Sequence, residues 1–84
     1  MKSIKYEEYN SSLGVLIDVE DVLSFSEHPT LEAINIPYQK LLYGHQSYLN
    51  KNKKYFIMCN KNILSRKVVA VLNHYGYDVT QVLK

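Results

Sequence analysis

A chain of 84 residues is long enough to bury one hydrophobic core and too short for two. Hydrophobic residues make up 46% of it, which excludes a disordered chain, and the net charge of +2 comes from ten basic and eight acidic residues spread along the sequence, which gives no basis for nucleic-acid binding. A single cysteine permits no internal disulfide, and no segment approaches the roughly 20 apolar residues of a membrane span. We therefore expect one soluble domain, monomeric and cytoplasmic, whose partners include neither nucleic acid nor a membrane.

The first part of the chain alternates short strand and helix patterns. Ser3–Lys5 is a candidate edge strand, and residues 6–10 form one helical turn. The apolar run at 15–17 predicts a second strand. Residues 21–27 have helical spacing, and Pro29 ends this helix because proline cannot continue it. The chain is therefore expected to begin as strand, turn, strand and helix.

The middle of the chain continues this alternation. Residues 33–36 form a third short apolar strand. Pro37 follows at a position suited to the first turn of a helix, which would bury Leu41 and Leu42. Residues 44–53 are mostly polar, so we expect a connection with one irregular turn there.

The only cysteine lies between the strongest strand pattern and the strongest helix pattern. Residues 55–58 are continuously apolar, which is typical of a strand buried on both faces of a parallel sheet, and Cys59 follows directly. Apolar residues then recur at helical spacing over 64–75, with Asn62 as the candidate N-cap. Cys59 is therefore expected in a loop leading to a helix N-terminus, where free N–H groups and the helix dipole favour an anion such as a thiolate.

The end of the chain completes a repeating strand and helix order. Gly76 is expected to end the preceding helix, and residues 77–83 alternate with strand period. Because parallel neighbours need crossover connections, this order predicts a parallel sheet with helices on both faces. Sites on such sheets form beyond the carboxyl ends of the strands, which is where the sequence places Cys59.

Short motifs at the strand ends also carry a family resemblance. They are Leu16-Ile17-Asp18-Val19, Phe25, Ala33-Ile34-Asn35-Ile36-Pro37, Cys59, Ser65 and Gly76-Tyr77-Asp78-Val79. In order and spacing they resemble rhodanese-like domains over nearly the whole chain. The resemblance implies one rhodanese-like domain at residues 1–84, a three-layer α/β/α fold around a five-stranded parallel sheet. It also implies sulfur transfer, in which Cys59 takes a sulfane sulfur from a small donor or a protein persulfide, holds it as a persulfide and passes it to a thiol acceptor.

The resemblance assigns a loop whose chemistry departs from the family. Family loops commonly have the sequence Cys-Arg-Ser-Gly-x-Arg-Ser, whereas this chain has Cys-Asn-Lys-Asn-Ile-Leu-Ser. By position, Cys59 is the nucleophile, and the substrate-binding loop consists of Asn60, Lys61, Asn62, Ile63, Leu64 and Ser65. Asn62 replaces a glycine, which is feasible because asparagine tolerates left-handed backbone.

Two substitutions in the resemblance change the expected charge of the site. Leu64 stands where the family has an arginine that recognises anionic donors, so Lys61 or Arg66 would have to compensate. Glu20 stands where the family has another arginine, and a carboxylate there repels thiosulfate. An uncharged or protein-bound donor, such as a persulfide delivered by a cysteine desulfurase, therefore suits this loop better.

Other functions are less consistent with the sequence. Cysteine phosphatases of this fold have an arginine six residues after the cysteine, where this chain has Ser65. Redox chemistry of the two-cysteine type has no resolving cysteine here, and the three histidines have no metal-ligand spacing, so we expect neither a metal nor a cofactor. The alternative is a degenerate module in which Cys59 is only a small buried side chain and the domain acts through protein–protein binding.

Overall fold

In a computed structural model that describes residues Met1–Lys84, five strands and three α-helices alternate along the chain. The strands are β1 (Ser3–Lys5), β2 (Val15–Asp18), β3 (Ile34–Asn35), β4 (Lys54–Met58) and β5 (Asp78–Leu83). The helices are α1 (Val22–Glu27), α2 (Tyr38–Tyr48) and α3 (Ile63–His74), and a single 3₁₀ turn covers Tyr6–Glu8.

The strands form one parallel sheet in the order β1-β5-β4-β2-β3, as the predicted fold class requires. From β2 to β3 the chain moves toward one edge of the sheet, and from β3 to β4 and on to β5 it moves toward the opposite edge. With right-handed crossovers, α2 and α3 then lie on one face, and α1 and the 3₁₀ turn lie on the other. The reversal of strand order falls between β2 and β4, which is where ligand sites form in open α/β sheets.

The two faces of the sheet are covered unequally. Thirteen buried residues form the cluster under α2 and α3, and four form the cluster on the opposite face. Strand β4 contributes to both, since Ile57 joins the larger cluster, and Phe56 and Met58 join the smaller one. No residue of α1 is buried. The molecule is therefore a three-layer α/β/α domain with one thick and one thin helical layer.

Two features at helix ends test the sequence predictions. The predicted connection at residues 44–53 is wrong for its first part, because α2 continues to Tyr48 through a kink at Gly44. The Leu49 N–H closes the last turn on the His45 carbonyl at 2.8 Å, and burial of Leu49 fixes that end of the helix. Gly76 ends α3 as predicted, with a left-handed φ of +90°.

No helix in the structure combines the length and the apolar character that crossing a bilayer requires.

Gly14, just before β2, marks a close approach between backbones. A Cβ atom there would lie 2.5 Å from the backbone oxygen of Lys54, which cannot move without disturbing β4. We expect Gly14→Ala to lower the free energy of unfolding by about 2 kcal/mol, measured by urea denaturation. Gly44→Ala is the control, because its Cβ would contact only the Tyr48 ring, at 3.7 Å. Equal effects of the two substitutions would contradict the steric explanation.

Candidate active site

A cleft of about 380 Å³ opens at the reversal of strand order, beyond the carboxyl ends of β2 and β4. The Val19 N–H donates to the Met58 carbonyl at 3.0 Å and keeps the two chain segments together past the strand ends. The cleft is lined by Glu20, Cys59, Asn60, Lys61, Ile63 and Leu64. Five of these belong to the predicted site, and Glu20 closes the cleft from the β2 side.

Cys59 lies on the floor of this cleft, with only 1% of its surface exposed. The Ser65 N–H donates to its sulfur at 3.2 Å, and the thiol lies 3.4 Å from the Ser65 hydroxyl oxygen. Ser65 is the third residue of α3, so its N–H is one of the donors that a helix leaves unpaired in its first turn. The sulfur therefore takes the place of an N-cap side chain.

Asn62 adopts the left-handed backbone expected from its glycine-like position, with φ at +62°. It precedes α3 as predicted, but its side chain makes no capping hydrogen bond, so this part of the prediction is wrong. The amide is used elsewhere. Its oxygen accepts from the Lys84 N–H at 3.1 Å, and its nitrogen donates to the Lys84 carbonyl at 3.3 Å. These two bonds join the loop to the chain just beyond β5.

Gln81, on β5, holds the loop through two side-chain hydrogen bonds. Its buried amide nitrogen donates to the Asn62 carbonyl at 2.9 Å and to the Ser65 hydroxyl oxygen at 3.1 Å. The protonated Cys59 thiol donates to the same hydroxyl oxygen, and once the thiol ionises the hydroxyl hydrogen can turn toward the sulfur. Sequence reasoning missed Gln81, although a glutamine within an apolar strand is a signal, since a buried amide requires partners.

Two acidic residues lie at the end of β2. Glu20 accepts the Asn60 N–H through Oε2 at 2.7 Å, so the first N–H of the loop after Cys59 is already occupied. Asp18 is buried and accepts the Glu20 N–H at 2.9 Å. Burial raises the pKa of Asp18, and the hydrogen bond from Glu20 opposes this only in part. Asp18 therefore shapes the turn that carries Glu20.

The cations predicted to compensate for Leu64 are placed differently from one another. Lys61 is exposed and lines the cleft, whereas Arg66 is exposed and lines a separate depression along α3. Lys84 is a third cation at the loop, with Nζ 3.4 Å from the side-chain oxygen of Asn60, and sequence reasoning missed it. Leu64 itself is half-buried and packs against the larger core cluster. The loop therefore has an apolar side chain where the resemblance has a guanidinium.

Ile63 is 60% exposed at the mouth of the cleft and gives this edge an apolar surface. No three His, Cys, Asp or Glu side chains gather closely enough to hold a metal ion.

No family model and no curated protein sequence matches the chain. Among solved structures, a rhodanese-like domain protein from Staphylococcus aureus is 30% identical, with a TM-score of 0.86 over 99% of this chain and 85% of that one. A rhodanese-related protein from Thermoplasma volcanium is 25% identical, with a TM-score of 0.85 over 99% of this chain and 84% of that one. The single-domain sulfurtransferase RDL2 of Saccharomyces cerevisiae shares the fold at 18% identity, with a TM-score of 0.72 over 98% of this chain and 81% of that one.

Gln81 is expected to stabilise the loop measurably. Gln81→Leu leaves the Asn62 carbonyl and the Ser65 hydroxyl without their donor, so we expect the free energy of unfolding to fall by about 1 to 3 kcal/mol. Gln39→Leu, on the exposed surface of α2, is the matched control and should change it by less than about 0.5 kcal/mol. A loss no larger than that of the control would show that the two hydrogen bonds contribute nothing.

Asp18 and the exposed Asp21 should have opposite effects on how stability depends on pH. The raised pKa of Asp18 means that its contribution to stability falls as pH rises above the ordinary value of 3.8, so Asp18→Asn should gain stability relative to the unsubstituted protein between about pH 4 and pH 7. Hydrogen bonds from the Ser24 N–H and hydroxyl lower the pKa of Asp21, so its contribution to stability is lost as pH falls below the ordinary value of 3.8, and Asp21→Asn should lose relative stability as pH rises from about pH 3 to pH 4. Urea denaturation at several pH values measures both, and trends of the same sign would refute the assignment.

Proposed function

Because this chain belongs to the rhodanese-like domain family, we propose that it carries a sulfane sulfur as a persulfide on Cys59 and passes it to a thiol acceptor. The observation that carries the proposal is the position of the Cys59 sulfur in a cleft at the carboxyl end of β4. There the sulfur accepts a hydrogen bond from the Ser65 N–H, in the first turn of α3. The donor N–H and the positive end of the helix dipole both favour a negative charge on that sulfur.

The proposed reaction moves one sulfur atom in two displacements. The Cys59 thiolate attacks the outer sulfur of a persulfide R–S–SH, a new S–S bond forms, and the donor's own S–S bond breaks as the thiolate R–S⁻ leaves with the electron pair. An acceptor thiolate then attacks the outer sulfur of the Cys59 persulfide and leaves with it, which regenerates the Cys59 thiolate. No external oxidant or reductant is needed. The hydrogen bond from the Ser65 N–H supports the negative charge on sulfur in the attacking thiolate.

The chemistry of the loop supports a donor other than thiosulfate. Leu64 packs into the core where an arginine would bind an anionic donor, and Lys61 is the cation left on the cleft wall. A persulfide carried by a small alkyl thiol or by a protein cysteine brings no oxyanion for a guanidinium to bind. We propose such a persulfide as the donor.

Burial of Cys59 favours a second candidate function. A thiol that is only 1% exposed can serve as an ordinary core residue, and the domain would then act by binding another protein. In this case Cys59 would accept no sulfur from any donor.

Intact-mass spectrometry distinguishes the two functions. We expect the reduced protein to gain one sulfur atom after incubation with an alkyl persulfide, and to lose it again to dithiothreitol or cyanide. Cys59→Ser, shown to be folded by circular dichroism, should gain none. Absence of the adduct from the folded, unsubstituted protein would exclude the persulfide carrier and leave the binding module.

A further inference from the structure

We propose that the negative charge of the Glu20 carboxylate, which lines the cleft, excludes oxyanionic sulfur donors. The donor is then a persulfide with no oxyanion next to its outer sulfur. The inference rests on the proposed function and concerns which donor the same site accepts. It is carried by a contact that no sequence pattern reveals, the 2.7 Å hydrogen bond between the Glu20 carboxylate and the Asn60 N–H.

The contact occupies a donor that an anionic substrate would need. Asn60 directly follows Cys59, so its N–H lies at the entrance of the loop, and Glu20 and Cys59 line the same cleft. A loop binds an oxyanion by pointing backbone N–H groups at its oxygens. Here one carboxylate oxygen already accepts that N–H, so an incoming oxyanion would lose a donor and approach a like charge.

Several hydrogen bonds hold Glu20 in this place. Its own N–H donates to Asp18 Oδ1 at 2.9 Å, and its carbonyl accepts from the Asn35 side-chain amide at 2.9 Å. The same amide nitrogen donates to the Asp18 carbonyl at 3.0 Å. The backbone of Glu20 is thus fixed by β2 and β3, and one oxygen of its half-buried carboxylate contacts the loop.

The remaining charges near the cleft do not replace an oxyanion site. Lys61 is exposed on the cleft wall, and Lys84 contacts the Asn60 side chain from the end of β5. Both ammonium groups are at the solvent side, where water screens them. Ile63 and Leu64 form the apolar part of the lining, which suits the carbon chain of an alkyl persulfide.

The two donor classes make different demands on the site. Thiosulfate enters as a dianion, transfers its outer sulfur to the Cys59 thiolate, and leaves as the sulfite dianion, so two negative charges stay in the cleft that Glu20 lines. An alkyl persulfide reacts in its protonated form R–S–SH, transfers the outer sulfur with its proton to Cys59, and leaves as a thiolate with a single charge on sulfur and no oxyanion. Repulsion by Glu20 therefore affects thiosulfate far more than it affects the alkyl persulfide.

Glu20→Gln tests the proposal with little change in shape, because the glutamine oxygen can still accept the Asn60 N–H while the charge is lost. The rate at which Cys59 gains one sulfur is measured by intact mass with thiosulfate and, separately, with n-propyl persulfide. We expect Glu20→Gln to accelerate loading from thiosulfate at least about fivefold, and to change loading from n-propyl persulfide by less than about twofold. Asp21→Asn is the matched control, since it removes the same charge one residue away, outside the cleft lining, and asparagine still caps α1.

The outcomes separate a failure of this inference from a failure of the proposed function. If n-propyl persulfide loads the unsubstituted protein but Glu20→Gln leaves the thiosulfate rate unchanged, accelerates both donors equally, or merely matches Asp21→Asn, Glu20 does not select the donor and the persulfide carrier stands. If neither donor loads any folded variant, the proposed function fails and this inference fails with it.

Discussion

The hydrogen bond from the Ser65 N–H to the Cys59 sulfur is the interaction on which the site depends. It joins the end of the central strand to the first turn of the longest helix, and it gives one of that turn's free N–H groups a partner inside the protein. The loop between the two residues must therefore curl around the sulfur, and Asn62 makes this possible by adopting left-handed backbone. The sulfur that accepts the hydrogen bond from the first turn of the helix is therefore also the candidate nucleophile.

Both ends of the loop are held by residues distant in sequence. Glu20 binds it at Asn60, and Gln81 and Lys84 bind it at Asn62. These partners come from the turn after β2, from β5 and from the residue beyond β5, so the sheet sets the shape of the loop. Where the resemblance has arginines, this loop is held by a carboxylate and an amide of its own chain. The first N–H of the loop, at Asn60, therefore has an acceptor before any substrate arrives.

The parts of the fold and site that follow from local pattern could be predicted from the sequence. The apolar run before Cys59, the helical spacing after it and the glycine at position 76 each act through the neighbouring backbone, and the structure confirms all three. The roles of Gln81 and Lys84 could not be predicted, because they depend on which strand lies beside β4 and on its register. The extension of α2 was missed for a related reason, since burial of Leu49 outweighs the polar composition of its last turn.

The uneven covering of the sheet has a consequence for how the molecule opens. Strand β3 has two residues and pairs only with β2, and no residue of α1 is buried. The unit formed by α1 and β3 is therefore stabilised by few hydrogen bonds and little apolar burial. Local opening should start there, while β4, β5 and α3 exchange their amide hydrogens last. Glu20 lies between β2 and α1, so the carboxylate side of the cleft borders the least stable unit, whereas the sulfur belongs to the most stable one. Opening of that unit would uncover the cleft from the Glu20 side while the contact between Ser65 and Cys59 stays intact.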